Sequence, residues 1–111
     1  MSNISAGLEE YLAKEIIKIV TSHKNVDKII LYGSRATDTF RRTSDIDLAI
    51  LDKNWTSRDI NLVKFNLNEY VKTPLKFDVV SFYDLTKESL KENILRDGRI
   101  IYESKKKKHK R

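Results

Sequence analysis

The chain has 111 residues, which is the size of one domain with a single hydrophobic core. Apolar residues make up 40% of the chain and charged residues 34%, so we expect a small core and a highly charged surface. The chain has no cysteine, which excludes disulfides and thiolate metal sites and fits a reducing cytoplasm. Its longest apolar runs are four residues, so we expect a cytoplasmic protein with neither a membrane span nor a signal peptide.

The net charge of +6 comes from the C-terminal end of the chain. Residues 105–111 hold six of the 22 lysine and arginine residues and no acid, which leaves 16 basic and 16 acidic groups in residues 1–104. We therefore predict one domain over residues 1–104 and a basic disordered tail over residues 105–111. The tail either keeps the chain in solution or loosely attracts nucleic acid or an acidic partner, and the neutral domain itself does not indicate nucleic-acid binding.

The first half of the chain predicts a helix and two strands. Residues 6–22 carry apolar side chains every three or four positions, as in an amphipathic helix. Residues 28–32 are apolar and β-branched and run directly into Gly33 and Ser34, which indicates a buried strand that ends in a turn. Residues 45–51 alternate between apolar and other side chains, which predicts a second strand.

The second half predicts two helices separated by a strand. Thr56 and Asp59 resemble a capping box that opens a helix extending to about residue 71. Residues 76–81 predict a third strand, and Thr86 is expected to cap a short helix after it. Residues 99–103 are compatible with one more short strand. This order of elements describes a small α/β sandwich of the α+β kind.

Three aspartates lie in or beside the apolar strands. Asp45 and Asp47 are two residues apart, so their side chains leave the same face of the strand with backbones about 6.6 Å apart. Such side chains can converge on one hard cation that binds oxygen at about 2.1 Å. Asp78, on another strand, can join them only if the two strands are neighbours. Clustered carboxylates repel one another, so this set predicts a divalent metal site.

Gly33 and Ser34 supply the complementary half of a nucleotide site. Glycine at a strand end lets the backbone approach a phosphate closely, and a helix starting at Ser34 would offer unsatisfied N–H groups to an anion. Carboxylates for metal and amides for phosphate on one short unit indicate a site for a nucleoside triphosphate. Each motif alone is weak, but their combination between two apolar strands is specific.

The stretch GSRATDTFRRTSDIDLAI, residues 33–50, resembles the signature of the polymerase-beta-like nucleotidyltransferases: Gly-Ser, ten residues, Asp-x-Asp, and a third carboxylate on a later strand. The run FDVV presents Asp78 in that third context. The short length and the ending ILRDGRIIYE resemble the minimal nucleotidyltransferases, the MNT group. The resemblance covers about residues 25–103 and implies a small mixed β-sheet flanked by helices.

The resemblance also implies a mechanism and roles for the residues of the motif. Gly33 and Ser34 would hold the β- and γ-phosphates of ATP, with Arg35, Arg41 or Arg42 as candidate phosphate contacts. Asp45, Asp47 and Asp78 would form the metal and catalytic set for one or two Mg²⁺ ions, which Mn²⁺ can replace. Asp78 would also activate an acceptor hydroxyl for in-line attack on the α-phosphorus.

One position departs from the pattern. Relatives commonly have a glycine in the loop where this chain has Asp38, so this position bears on the loop conformation and places an extra negative charge near the phosphates.

The chain is too short to contain the helical domain with which larger relatives grip the base or the acceptor. Another chain completes the site, the protein forms a homo-oligomer, or catalysis has been lost. MNT proteins resemble this one and typically act as antitoxins beside a helical HEPN-type toxin, so the resemblance implies transfer of AMP to a tyrosine of such a partner. The alternative is a non-catalytic nucleotide-binding antitoxin that neutralises its partner by binding. An antibiotic-modifying transferase fits less well, because it needs an acceptor domain.

Overall fold

The structure is a computed structural model and describes residues 7–105. Its elements, in chain order, are α1 (Glu10–His23), β1 (Lys28–Tyr32), β2 (Ile46–Leu51), α2 (Ser57–Tyr70), β3 (Phe77–Ser81), α3 (Glu88–Asp97) and β4 (Arg99–Glu103). A 3₁₀ turn follows β1 at Gly33–Ala36, and a second follows β3 at Phe82–Asp84. The predicted fold class, a small mixed sheet flanked by helices, is confirmed.

The four strands form one sheet in the order β3-β2-β1-β4. β1 is antiparallel to both of its neighbours, whereas β2 and β3 are parallel and joined through α2. In the β2–β3 ladder Asp47 lies opposite Asp78, and in the β1–β2 ladder Tyr32 lies opposite Asp47. The topology therefore places the third predicted carboxylate directly beside the second.

Apolar side chains cover β2 on both faces of the sheet. Ile46, Leu48 and Ile50 belong to the larger core cluster, which includes buried residues of α1 and α2. Ala49 and Leu51 belong to a smaller cluster with Ile94 of α3 and the aromatic ring of Phe82. Because side chains alternate along a strand, Asp47 shares its face with this smaller cluster. The sheet is thus the middle layer of three, with α1 and α2 on one face and α3 on the other. Asp47 lies at the margin of the face that α3 covers.

Two predicted boundaries are wrong. The first helix begins at Glu10, with Glu9 at the N-cap position, whereas the prediction placed its start at residue 6. The described residues 7–9 therefore precede the helix. Lys87, not Thr86, occupies the N-cap position of the third helix, and its side chain makes no capping hydrogen bond. The predicted basic tail, apart from Lys105, lies outside the described residues. Within residues 7–105 no helix has both the length and the apolar character needed to cross a bilayer.

The start of α2 is held by the predicted capping box and by the end of α1. The Thr56 hydroxyl accepts from the Asp59 backbone N–H at 3.2 Å, and the Asp59 carboxylate accepts from the Thr56 backbone N–H at 2.8 Å. The same carboxylate accepts from Lys24 Nζ at 2.9 Å and lies 2.9 Å from His23 Nε2. The hydrogen bond from Lys24, followed by those from the Thr56 backbone and His23, lowers the pKa of Asp59 well below its usual range. Asp59 therefore ties the two helices that cover one face of the sheet.

Replacing Thr56 by alanine should lower the free energy of unfolding by about 1 kcal/mol, because the Asp59 N–H loses its partner. The matched control is Thr86→Ala, since Thr86 is exposed and caps nothing, and it should change stability by less than about 0.5 kcal/mol. Urea unfolding followed by circular dichroism measures both. Equal losses in the two variants would contradict the assigned capping.

Candidate active site

The three predicted carboxylates lie at one end of the sheet. Asp47 on β2 is flanked by Asp78 on β3, and Asp45 is exposed just before β2 begins. All three line an open cleft of about 580 Å³, whose other polar side chains include Lys64 and Asn68 of α2. The prediction that Asp78 can reach the metal pair only through neighbouring strands is satisfied by the parallel pairing of β2 and β3.

The carboxylates perturb one another. Partial burial, and then the charges of Asp78 and Asp45, raise the pKa of Asp47 to about 6. Burial, and then the charges of Asp47 and Asp78, raise the pKa of the Tyr32 phenol to about 12. Both shifts have the direction expected where negative charge is concentrated. A cation placed here would relieve this repulsion.

The donor set fits a hard divalent cation, because Mg²⁺ and Mn²⁺ bind carboxylate oxygens. Within residues 7–105, however, no three acidic, histidine or cysteine side chains already converge closely enough to hold a metal ion. Asp78 is instead paired with Lys64, whose Nζ lies 3.0 Å from Asp78 Oδ1. The carboxylates thus have suitable chemistry and positions, and metal binding requires side-chain rotation.

Gly33 lies directly against Asp47. Its φ of +79° favours glycine, and a Cβ added there would lie 2.5 Å from Asp47 Oδ2. Ser34 follows and, with Gly33, lines a second cleft of about 360 Å³ that is closed on its far side by α3. The Gly-Ser turn therefore separates the carboxylate cleft from a second cleft. The helix expected after Ser34 is only the 3₁₀ turn Gly33–Ala36.

Arg35 is placed differently from the prediction. Only 7% of it is exposed, and its guanidinium lies 4.9 Å from the centre of the Phe40 ring. Its donors bind backbone carbonyls, from Nε to Ser44 at 2.9 Å, from Nη1 to Gly7 at 3.1 Å, and from Nη2 to Arg41 at 3.3 Å and Arg42 at 3.1 Å. The side chain lines neither the carboxylate cleft nor the cleft beside Ser34. This arrangement does not fit direct nucleotide binding and makes Arg35 a residue that holds the loop 37–44.

Two further residues position the site and were missed in the sequence. The Arg99 Nε donates to the carbonyl of Ala36 at 3.0 Å, which fixes the 3₁₀ turn from β4. The Asn68 side chain binds both the N–H and the C=O of Phe77, at 2.9 and 3.0 Å, and so fixes the backbone just before Asp78. Asparagine inside a helix is a signal of such a bond, because its amide competes with the helix backbone.

The loop also carries the departure noted at Asp38. Its φ is +65°, in the left-handed region that glycine adopts freely. Thr37 and Thr39 on either side of it line the cleft beside Ser34. Asp38 therefore keeps the backbone conformation that a glycine would favour while adding a charge next to this cleft.

Stability should fall with rising pH because of Asp47. Between its ordinary pKa of 3.8 and the folded value of about 6, the folded chain binds more protons than the unfolded chain. The free energy of unfolding therefore decreases as pH rises through this window, and the loss is complete above about pH 6. Asp47→Asn should remove this loss and be more stable than wild type at pH 7 by about 1 kcal/mol, with solvent screening limiting the effect.

Urea unfolding at about pH 4 and pH 7 in metal-free buffer measures the difference. The matched control is Asp84→Asn, an exposed aspartate outside the cleft, which should follow wild type at both pH values. A parallel pH dependence in Asp47→Asn and wild type would show that Asp47 is not under electrostatic stress.

Replacing Arg35 by lysine should lower stability by about 2 kcal/mol or more, because an ammonium cannot serve four carbonyls in the plane of a guanidinium. The same substitution at the exposed Arg42 should cost less than about 0.5 kcal/mol. Thermal unfolding without nucleotide measures both variants. If Arg35→Lys unfolds like wild type without nucleotide but binds ATP less well, Arg35 contacts the nucleotide after all.

Solved structures share this fold. A toxin–antitoxin complex with AMP-PNP is 22% identical, with a TM-score of 0.65, over 84% of this chain and 74% of that chain. A toxin–antitoxin MntA–HpeT structure with two aspartate-to-glutamate substitutions is 19% identical, with a TM-score of 0.64, over 84% and 74%. A structure assigned as a minimal nucleotidyltransferase is 22% identical, with a TM-score of 0.64, over 89% and 98%.

These identities establish similarity of fold, and no match to a curated protein was found. The sequence itself matches the family model described as "Polymerase beta, Nucleotidyltransferase" over residues 14–107. That match includes the Gly-Ser turn, all three cleft aspartates and every strand of the sheet. The chain therefore belongs to the polymerase beta nucleotidyltransferase family.

Proposed function

We propose that the domain transfers AMP from ATP to a tyrosine hydroxyl of a helical HEPN-type toxin and thereby acts as its antitoxin. The observation that carries the proposal is the side-by-side placement of Asp47 and Asp78 on parallel strands, with Gly33 packed against Asp47. This arrangement places carboxylates that could bind a cation beside a turn whose backbone a phosphate can approach closely. Family membership supports a transferase activity, while the protein acceptor is part of the proposal.

In the proposed complex the triphosphate lies over Gly33 and Ser34, and the nucleoside extends toward the cleft formed with α3. Asp45, Asp47 and Asp78 would hold Mg²⁺, which Mn²⁺ can replace, and the set has room for one or two ions. The bound metal would neutralise the carboxylates and withdraw charge from the triphosphate. The raised pKa of Asp47, caused first by partial burial and then by the charges of Asp78 and Asp45, is compatible with this assignment, because a bound cation would favour the charged carboxylate.

The residues of the cleft then suit an in-line displacement. Asp78 accepts the proton of the acceptor hydroxyl, whose oxygen forms a bond to the α-phosphorus as the bond from that phosphorus to the pyrophosphate oxygen breaks. The products are the AMP ester of the acceptor and pyrophosphate. Asp78 is suited to this role because it lies on the edge strand β3 and 45% of its side chain is exposed.

A protein acceptor is supported by the openness of the site. Within residues 7–105 no second domain covers the carboxylate cleft, so a partner surface can reach Asp78. Toxin–antitoxin complexes are among the solved structures with this fold, and one of them contains AMP-PNP. A homo-oligomer is the other way for a chain of this kind to complete its site.

The ion pair between Lys64 and Asp78 favours a second candidate, a non-catalytic antitoxin that binds nucleotide and masks its toxin by contact. In this arrangement Asp78 is already neutralised by a lysine and the three carboxylates do not converge. Catalysis and masking make opposite predictions for variants that lack the carboxylates.

The deciding measurement is transfer of label from ATP labelled at the α-phosphate to a co-purified helical partner. Wild type should label the partner in Mg²⁺, and treatment of the adduct should locate the AMP on a tyrosine. The double variant Asp45→Asn/Asp47→Asn should label at least about a hundredfold more slowly, because two metal-holding carboxylates are lost. It should also fail to protect cells from the toxin.

The single variant Asp78→Asn separates binding from chemistry. It should retain ATP binding in a thermal-shift assay but slow transfer by about 10²–10⁴, the range for loss of a general base. Thr86→Ala, at an exposed position that lines neither cleft, serves as the control for handling and expression. Full protection by the double variant without any label on the partner would instead establish masking by contact.

A further inference from the structure

Lys64 makes a contact that the proposed function does not use. It lies on α2, and its Nζ reaches around the edge of the sheet to within 3.0 Å of Asp78 Oδ1. The two side chains are 46% and 45% exposed, so the pair lies in the open cleft rather than in the core. Lys64 is thus paired with Asp78, the cleft carboxylate that lies on the edge strand.

The position of Lys64 is set by its neighbour one helical turn later. Asn68 binds the Phe77 backbone on both sides, which fixes α2 against the start of β3. Residues four apart lie on the same face of a helix, so Lys64 is held above the residue that follows Phe77, which is Asp78. The backbone of α2 therefore places the Lys64 side chain within reach of Asp78, and the ion pair completes the contact.

The electrostatics of the cleft explain why a cation is held there. Asp45, Asp47 and Asp78 place three negative charges at one end of the sheet. Asp78 lies opposite Asp47, and a single lysine charge offsets part of the repulsion between them. A divalent cation would offset more of it and would compete with Lys64 for the Asp78 carboxylate.

We propose that Lys64 is a tethered counter-ion that binds Asp78 when no metal is present and is displaced when a divalent cation binds the carboxylates. The proposal rests on the metal site of the proposed function and adds a positioning residue to it. The exchange is easy because an ion pair with both partners nearly half exposed is weak. Lys64 thereby offsets the repulsion between the carboxylates of the metal-free cleft. It also lowers the affinity for metal, because it competes with the metal for Asp78.

The test is Mn²⁺ binding to the nucleotide-free protein, measured by electron paramagnetic resonance or calorimetry. Lys64→Met removes the charge but keeps the bulk of the side chain, and it should bind Mn²⁺ about fivefold more tightly than wild type, the upper range for an exposed ion pair. The matched control is Lys76→Met, since Lys76 lines the same cleft but forms no ion pair within residues 7–105. It should change the dissociation constant by less than about twofold.

A second readout follows the lysine itself. In nitrogen-15 spectra of the side-chain ammonium groups, the Lys64 signal should be protected from exchange without metal and lose that protection on addition of Mg²⁺. The Lys64 signal should be unprotected from the start in Asp78→Asn.

The outcomes distinguish this proposal from the proposed function. If wild type binds Mn²⁺ and Lys64→Met binds no more tightly than Lys76→Met, the counter-ion role is overturned while the metal site stands. Persistent protection of Lys64 in saturating Mg²⁺ would overturn it in the same way. If neither wild type nor Lys64→Met binds Mn²⁺, the metal site and the exchange are both overturned.

Discussion

The parallel pairing of β2 with β3 is the constraint on which the site depends. It brings Asp47 and Asp78 to the same level of the sheet, although 31 positions of sequence numbering separate them. The cost is that Asp47 is partly buried beside other carboxylates: burial first, and then the charges of Asp78 and Asp45, raise the pKa of Asp47. The surrounding structure supports this arrangement in two ways. Apolar residues cover both faces of β2, and the Asn68 side chain fixes the backbone just before Asp78.

The loop between the Gly-Ser turn and β2 is held by one buried cation. Arg35 binds backbone carbonyls within the loop and one before the first helix, so its charge compensates backbone dipoles and not a phosphate. Arg99 makes a similar contact from the last strand. Arg35 ties the turn that carries Gly33 and Ser34 to the segment before α1, and Arg99 ties it to the last strand. Support of this kind reduces the conformational freedom that the turn would lose on binding any ligand.

The parts of the molecule that could be predicted are those with a local pattern. The alternation of Ile46, Leu48 and Ile50 indicated β2, and the pair Thr56 and Asp59 indicated the start of α2, because each pattern reflects a period or a cap within a few residues. Thr86 has the same local character as Thr56 but does not cap α3, because Lys87 occupies the N-cap position. Local chemistry alone does not determine which of two similar threonines is used.

The parts that could not be predicted depend on contacts between distant segments. Nothing in the local sequence separates the buried Arg35 from the exposed Arg41 and Arg42, because its burial is set by Gly7 and Phe40. The pairing of Lys64 with Asp78 likewise depends on how α2 lies along β3. The carboxylates of the site were recognisable by their spacing, whereas the cations around them became visible only with the fold.

The bond from Arg35 to the carbonyl of Gly7 ties the loop to a segment that lies before residue 14, where the family match begins. The family match therefore does not include every residue that holds this loop. In this chain the segment before α1 has to supply an acceptor for the arginine. Gly7 can supply this acceptor because its backbone lies very close to that of Arg35: a Cβ on Gly7 would be 1.7 Å from the Arg35 carbonyl oxygen. A chain shortened at its N-terminus to Glu10 would keep every strand of the sheet and all three cleft aspartates, and would still lose one of the contacts that hold the loop beside them.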